Sequence, residues 1–356
     1  MSRTLKEVVD EIYEQIKREE IPYLSIKARN RKNLQINNNT GVWNIGNSCI
    51  KRSAMKLNGA RSILRTLYTI EFILNMSREE KTSTLRELYY ISEQWKNGKF
   101  SMQDESNKLV EDLEILTDKM RENLRIRPEE NGASVIGDLT ITEVNRKGNK
   151  KKINCKDDVG DGGYALPYNV ESEKINFIST NAKFILAIEC GGMFDRLTEN
   201  RFDEKYGAVL VHLKGQPARS TRRFIKRCSE EMNLPVVVFT DGDPWSFRIF
   251  ASVAYGAIKT SHISDYLATP SAEFMGVTAS DIINYNLPTD KLNEEDVNAL
   301  KAELTDPRFN TEFWKNEIEL MLNINKKAEQ QSLAKYGLEF VSDHYLPEKL
   351  SQMSVL

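Results

Sequence analysis

The chain has 356 residues, enough for two or three domains, with 40% hydrophobic residues and a formal net charge of −2. No run approaches the roughly 18 apolar residues of a membrane span, and the charged start, MSRTLKEVVDEIYEQIKREE, is unlike a secretory leader. Four scattered cysteines (Cys49, Cys155, Cys190, Cys228), never in C-x-x-C, and three histidines without ligand spacing argue against a zinc site or a disulfide framework and suit a reducing cytoplasm.

The small net charge hides an uneven distribution. Between Ile21 and Ile70 there are nine Lys or Arg (Lys27, Arg29, Arg31, Lys32, Lys51, Arg52, Lys56, Arg61, Arg65) and no Asp or Glu. From Asp281 onward the balance reverses, with fourteen acidic residues against eight basic. The basic window suits a polyanion; the competing expectation is that it pairs with the acidic face of a partner or of the chain's own C-terminal half.

In chain order, residues 4–19 carry a helical apolar stripe (Leu5, Val8, Val9, Ile12, Ile16), and 25–50 read as loop or irregular strand. Residues 60–76 and 82–95 are predicted helices, the second with a capping box at Thr84 and Glu87. A third helix is expected over 104–126, through Leu109, Leu113, Leu116 and Met120. Residues 134–155 read as a β-hairpin around Lys147-Gly148-Asn149 with a basic tip. Three helices and then a hairpin is the order of a winged helix-turn-helix.

The Gly-rich stretch 156–169 is expected to be a connector, and an α/β texture follows it. Strands are predicted at 183–189, 208–213 and 236–241, and helices at 220–233 and 244–256, which implies a doubly wound, mostly parallel sheet. Function in such sheets sits at the carboxyl ends of strands. Glu189 closes the first strand, Asp241 closes a later one, Asp243 lies just beyond, and Pro244 takes a first helical position. Strands are about 4.8 Å apart, so these carboxylates can share one ion, and like charges so close need a cation or protonation. Hard oxygen donors point to Mg²⁺.

Glu after one strand and Asp-x-Asp after a later one resembles the Toprim domain of topoisomerases, primases and some nucleases. With TLRELYY (84–90) before it, and KGQPARSTRR (214–223), FTDGDPW (239–245) and YLATPSAEFMGVTASDI (266–282) within it, the chain resembles the A-subunit family of archaeal DNA topoisomerase VI, and is similar to the meiotic proteins that make double-strand breaks. The resemblance implies an α/β plus α+β chain in four parts. These are an N-terminal extension (1–60), a winged-helix, CAP-like domain (61–156), a connector (157–180) and a Rossmann-like Toprim domain (181–356).

It also implies a tyrosine nucleophile in the winged-helix domain that becomes linked to a 5′ phosphate. Helical geometry separates the two candidates: Leu85, Leu88 and Tyr89 share an apolar face, whereas Arg86 and Tyr90 lie four apart on the other and can meet one phosphate. The family pattern also selects the second tyrosine, Tyr90, with Arg86 as a phosphate clamp. Glu189 and Asp241 are the expected Mg²⁺ ligands, with Asp243 serving a second ion or acting through water. Lys214, Arg219, Arg222 and Arg223 are expected on backbone phosphates of double-stranded DNA. No G-x-x-x-x-G-K-[ST] loop is present, so ATP is expected on a partner. The family supplies an ATPase B subunit in an A₂B₂ heterotetramer built on a homodimer of this chain, with residues 1–60 the expected B-subunit contact. A cytoplasmic, nucleoid-associated enzyme without a membrane partner follows. The rival readings are a stand-alone double-strand-break transesterase without strand passage, a non-catalytic DNA-binding module whose acids are structural, and, less well supported, a primase-like polymerase that shares the acids but needs no tyrosine.

Overall fold

The computed structural model describes residues 3–127, 132–145 and 147–353. Residues 1–2, 128–131, 146 and 354–356, which include the outer ends of the expected first and last domains, lie outside the described residues. The chain divides into two units. One holds the residues up to 37, 43–131 and 257–265, and the other holds 38–42, 132–256 and 266 onward.

In the first unit, helix α1 (Leu5–Lys17) starts on a capping box: Thr4 Oγ1 accepts the Glu7 N–H and the Glu7 carboxylate accepts the Thr4 N–H. Strand β1 (Tyr23–Lys27) pairs antiparallel with β2 (Cys49–Ser53), so the region expected as loop or irregular strand is bounded by a defined ribbon. Three helices follow: α2 (Leu57–Arg78), α3 (Leu85–Ile91) and α4 (Gln103–Thr117). Helix α4 stops at Thr117 rather than 126 because Asp118 adopts a left-handed conformation, φ 49°. The returning chain forms a two-residue parallel bridge, Ser83–Thr84 against Ile126–Arg127. Ile63, Ile70, Ile73, Leu88, Leu109 and Leu113 fill the core beneath α3, each contributing about 1.5–3 kcal/mol by burial.

Part of the basic window is consumed here. Arg29 pairs with Glu111 and, at 3.0 Å, with Asp112; Arg52 also pairs with Asp112; and Arg65 reaches Glu105 at 3.3 Å. These acids lie on α4, so the charge imbalance is settled inside the unit for three of the nine. Lys27, Arg31, Lys32, Lys51, Lys56 and Arg61 remain exposed.

In the second unit, β3 (Ser134–Ile136), β4 (Leu139–Val144), β5 (Lys150–Asn154), β6 (Tyr164–Ala165), β7 (Ile175–Thr180) and β8 (Phe184–Ile188) precede helix α5 (Gly191–Glu199). Strand β9 (Ala208–His212), helix α6 (Arg219–Met232), strand β10 (Val236–Phe239), helix α7 (Pro244–Ala254) and strand β11 (Glu273–Gly276) follow. The main sheet has the order β6-β3-β9-β8-β10-β11, with β9, β8, β10 and β11 parallel. Beyond β9, β3 pairs antiparallel with β9 and β6 antiparallel with β3. Every residue of β8 and β10 is buried, as expected for strands covered on both faces.

The expected hairpin forms, Val144 facing Lys150, but it belongs to this second unit and not to the helical one. Gly137 separates β3, which joins the main sheet, from β4: its φ is +138°, and a Cβ there would lie 2.4 Å from the Ala208 carbonyl oxygen. The stretch expected as a connector is likewise structured. Strand β7 pairs with β4 and buries Ile175 and Phe177, giving a three-stranded sheet β7-β4-β5. By contact, then, the division falls near residue 131 rather than at 156.

Candidate active site

Helix α3 carries the tyrosine pair. Its capping box forms where the sequence places it: Thr84 Oγ1 accepts the Glu87 N–H at 3.1 Å, and Glu87 accepts the Thr84 N–H at 2.6 Å. That bond holds the Glu87 carboxyl below its ordinary range, which commits it to the cap and makes it a weak proton acceptor. Leu88 is fully buried and Tyr89 packs on the core, while Tyr90 is 57% exposed. The two tyrosine rings lie 5.3 Å apart. Arg86 is on the exposed side, its guanidinium carbon 6.0 Å from the centre of the Tyr90 ring. Tyr90 borders an open groove of about 540 Å³ floored by Phe72, Met76 and Ile91, with Lys81 and Glu87 on its rim.

The acids sit where two chain segments leave the parallel sheet. Glu189 follows β8, and Asp241 follows β10 on the neighbouring strand. Asp241 donates its backbone N–H to Glu189 Oε2 at 3.1 Å. Asp243 is the N-cap of α7, with Oδ1 accepting the Ser246 N–H at 2.7 Å and Pro244 behind it. Burial, then the negative charges of Asp241 and Asp243, push Glu189 up to about 7 against a stabilising hydrogen bond from Ser246. Burial, opposed by the Gln330 N–H and reinforced by Asp243 and Glu329, pushes Asp241 up to about 6.

This donor set fits Mg²⁺: hard carboxylate oxygens, half-buried, in mutual repulsion that a cation relieves. Among the described residues no three His, Cys, Asp or Glu side chains form a closed ligand group. Each of the three carboxylates accepts one backbone N–H, Glu189 from Asp241, Asp241 from Gln330 and Asp243 from Ser246 in its helix cap.

The four basic residues expected on phosphate are placed differently from one another. Lys214 is exposed, in a left-handed turn (φ 60°), and the next N–H, of Gly215, donates to the Glu189 carbonyl at 3.2 Å, so it flanks the acids. Arg219 is half-buried at the start of α6. Arg222 is 5% exposed, and Arg223 forms a bidentate pair with Glu171 at 2.6 and 2.9 Å. Of the two arginines expected on phosphate, Arg222 is thus interior and Arg223 is engaged by Glu171. Glu171 lies 52 residues away and carries no local signal that it would claim Arg223.

Gln330, which sequence reasoning missed, also belongs to the rim: its N–H donates to Asp241 Oδ1 at 2.8 Å. Nothing local marks it, since 89 residues separate the two.

Comparison with known proteins bears on all of this. Three family descriptions match in succession. They are the type IIB DNA topoisomerase family over residues 61–126, the all-beta domain of the DNA topoisomerase VI alpha chain over 129–181, and the Toprim domain shared by Spo11 and the topoisomerase 6 A subunit over 184–350. The middle match covers the three-stranded sheet, in keeping with its separation from the helical unit. The A subunit of type 2 DNA topoisomerase 6 from Archaeoglobus fulgidus is 57% identical over 99% of this chain and 98% of its own length. Those of Methanosarcina barkeri and Haloarcula marismortui are 53% and 52% identical, each over 99% of this chain and 95% of their own. At that identity over nearly its whole length, the chain belongs to the family of type 2 DNA topoisomerase VI A subunits.

Proposed function

We propose that this chain is the DNA-cleaving subunit of a type IIB topoisomerase and that Tyr90 is its nucleophile. The Tyr90 phenolate oxygen forms a bond to a backbone phosphorus, the bond from phosphorus to the 3′ oxygen breaks, and the chain is left joined to the 5′ phosphate. The phosphotyrosine conserves the bond energy, so attack by the 3′ oxygen reseals the strand. Arg86, on the same exposed face, orients the phosphate. Glu189 and Asp241, with Asp243 acting through water or a second ion, would hold Mg²⁺, which when bound offsets negative charge on the scissile phosphate and the leaving oxygen. Lys214 and Arg219 hold the DNA backbone, and such contacts position without reading sequence.

The helical unit is read as the winged-helix module, with α2 to α4 in the expected order and the short Ser83–Thr84/Ile126–Arg127 bridge beside α3. A double-strand break needs two tyrosines and two acidic rims, which a C₂ dimer of this chain supplies in register with the DNA dyad. ATP would bind a B subunit in an A₂B₂ complex. Residues 1–60 are the proposed contact, supported by the exposed apolar side chains of Tyr13, Ile16, Met55 and Leu57. The proposed setting is the nucleoid; among the described residues no helix is long and apolar enough to cross a membrane.

The observation that carries the reading is the Glu189–Asp241 pair, two acids at adjacent parallel strand ends linked by the Asp241 backbone N–H donating to the Glu189 carboxylate, each raised in pKa first by burial and then by neighbouring acids. The test is relaxation of supercoiled plasmid by this chain with a B subunit, Mg²⁺ and ATP. Relaxation that chelator abolishes supports it. Breakage without relaxation in the presence of the B subunit would favour the stand-alone transesterase.

A further inference from the structure

The stretch 326–330 runs along the acidic rim. Lys326–Lys327 pairs with Asp290–Lys291, and Lys327 Nζ reaches the buried Asp296 at 2.7 Å. Ala328 then exchanges two backbone hydrogen bonds with Gly242, the glycine between Asp241 and Asp243: Gly242 N–H to the Ala328 oxygen at 2.8 Å and the return at 3.2 Å. Gln330, fully buried, follows. Its backbone N–H donates to Asp241 Oδ1 at 2.8 Å, and its side-chain Oε1 accepts the N–H of Cys190, the residue after Glu189, at 3.2 Å. A backbone N–H can only donate, so this contact fixes the amide with its oxygen toward Cys190. Nε2 is then left buried without a hydrogen-bond partner among the described residues. Buried donors of this kind are rare, and each calls for a functional or structural reason.

Resting on the metal reading of Glu189 and Asp241, we propose that Gln330 is a positioning residue for the cation site. One residue ties down both the Asp241 carboxylate and the peptide after Glu189, and so fixes the separation of the two donors. Its unsatisfied Nε2 hydrogens are the donor left over for the hydration shell of a bound cation. Groups that orient metal ligands from behind typically alter affinity ten- to a hundredfold when removed.

The test uses the full-length chain with Mn²⁺ as probe, free ion counted by electron paramagnetic resonance, and Mg²⁺ as competitor. Gln330→Met keeps length and burial, leaves the backbone bond to Asp241 and deletes the amide. The expected result is Mn²⁺ affinity weakened by about tenfold, a melting temperature in chelator lowered by no more than a few degrees because the Cys190 N–H loses its acceptor, and cleavage restored to the wild-type level by excess Mg²⁺. Unchanged Mn²⁺ affinity, or a cleavage defect that excess Mg²⁺ does not correct, overturns the proposal. Gln330→Leu, measured in the same way, decides if the methionine variant does not fold. Glu189→Gln separates the two layers: loss of Mn²⁺ binding there with full binding in Gln330→Met rejects the role of Gln330 alone, whereas wild-type binding in Glu189→Gln rejects the metal reading beneath it.

Discussion

Asp241 donates its backbone N–H to the side chain of Glu189 across the ends of two neighbouring parallel strands, at 3.1 Å. The bond brings a second acid to the first and places both carboxyls where burial disfavours their charge. A cation is the natural relief, and its binding should be visible as stability. At 100 times its dissociation constant, a ligand specific to the folded state contributes about 2.7 kcal/mol. Mg²⁺ should therefore raise the melting temperature of the wild-type chain by several degrees, and Glu189→Gln should remove that increment. An equal increment in both would detach Glu189 from metal binding.

The acid side of the stability profile should depend on Asp296. Burial opposes its charge, but Lys327, the Asn293 N–H and Trp245 together hold its carboxyl below the ordinary range. A depressed carboxyl contributes stability that is present above its unfolded value near 4 and lost as pH falls through the lower folded value. Asp296→Asn should cost about 2 kcal/mol at pH 7, with the difference from wild type shrinking below pH 4. Melting curves from pH 3 to 7 check this, and a constant difference across that range would contradict it.

Much of the candidate site was legible because its signals are local. Thr84 and Glu87 announce a helix start, the 3.6-residue period puts Tyr90 outward and Leu88 inward, and a proline behind Asp243 marks a helix just beyond a strand. What was not legible depends on partners distant in sequence. Arg223 looks like a phosphate ligand until Glu171 is folded against it, and Arg29 and Arg52 look like polyanion contacts until α4 delivers Asp112. The hairpin expected over 134–155 forms between 139 and 154, but its placement depends on β7, whose alternation (Ile175 and Phe177 inward) is overshadowed by the glycines before it.

That distinction predicts different behaviour for two basic residues in one motif. DNA affinity falls with salt in proportion to the phosphates contacted. Lys214→Ala should reduce the slope of log affinity against log salt by about one while leaving the melting temperature in place. Arg223→Ala should leave the slope unchanged and lower stability by about 1–3 kcal/mol by stranding Glu171. The reverse pattern would return Arg223 to the DNA surface.

Dimer architecture can be read from a mixed dimer of Tyr90→Phe and Glu189→Ala chains. If the tyrosine of one chain works with the acids of the other, one composite site loses both groups and its counterpart stays whole, giving single-strand nicks. If each chain serves itself, both sites are damaged and no nicks form. Gel analysis of supercoiled plasmid distinguishes nicked circles from uncut DNA, and nicks are the expected outcome.

The most direct measurement of the central claim is mass-spectrometric mapping of the covalent protein–DNA adduct trapped in Mg²⁺. The nucleotide should be found on the Tyr90 oxygen through its 5′ phosphate. The adduct should vanish in Tyr90→Phe, which should melt like the wild type because the residue is 57% exposed, and should persist in Tyr89→Phe. A nucleotide on Tyr89, or an adduct that survives Tyr90→Phe, would contradict the account.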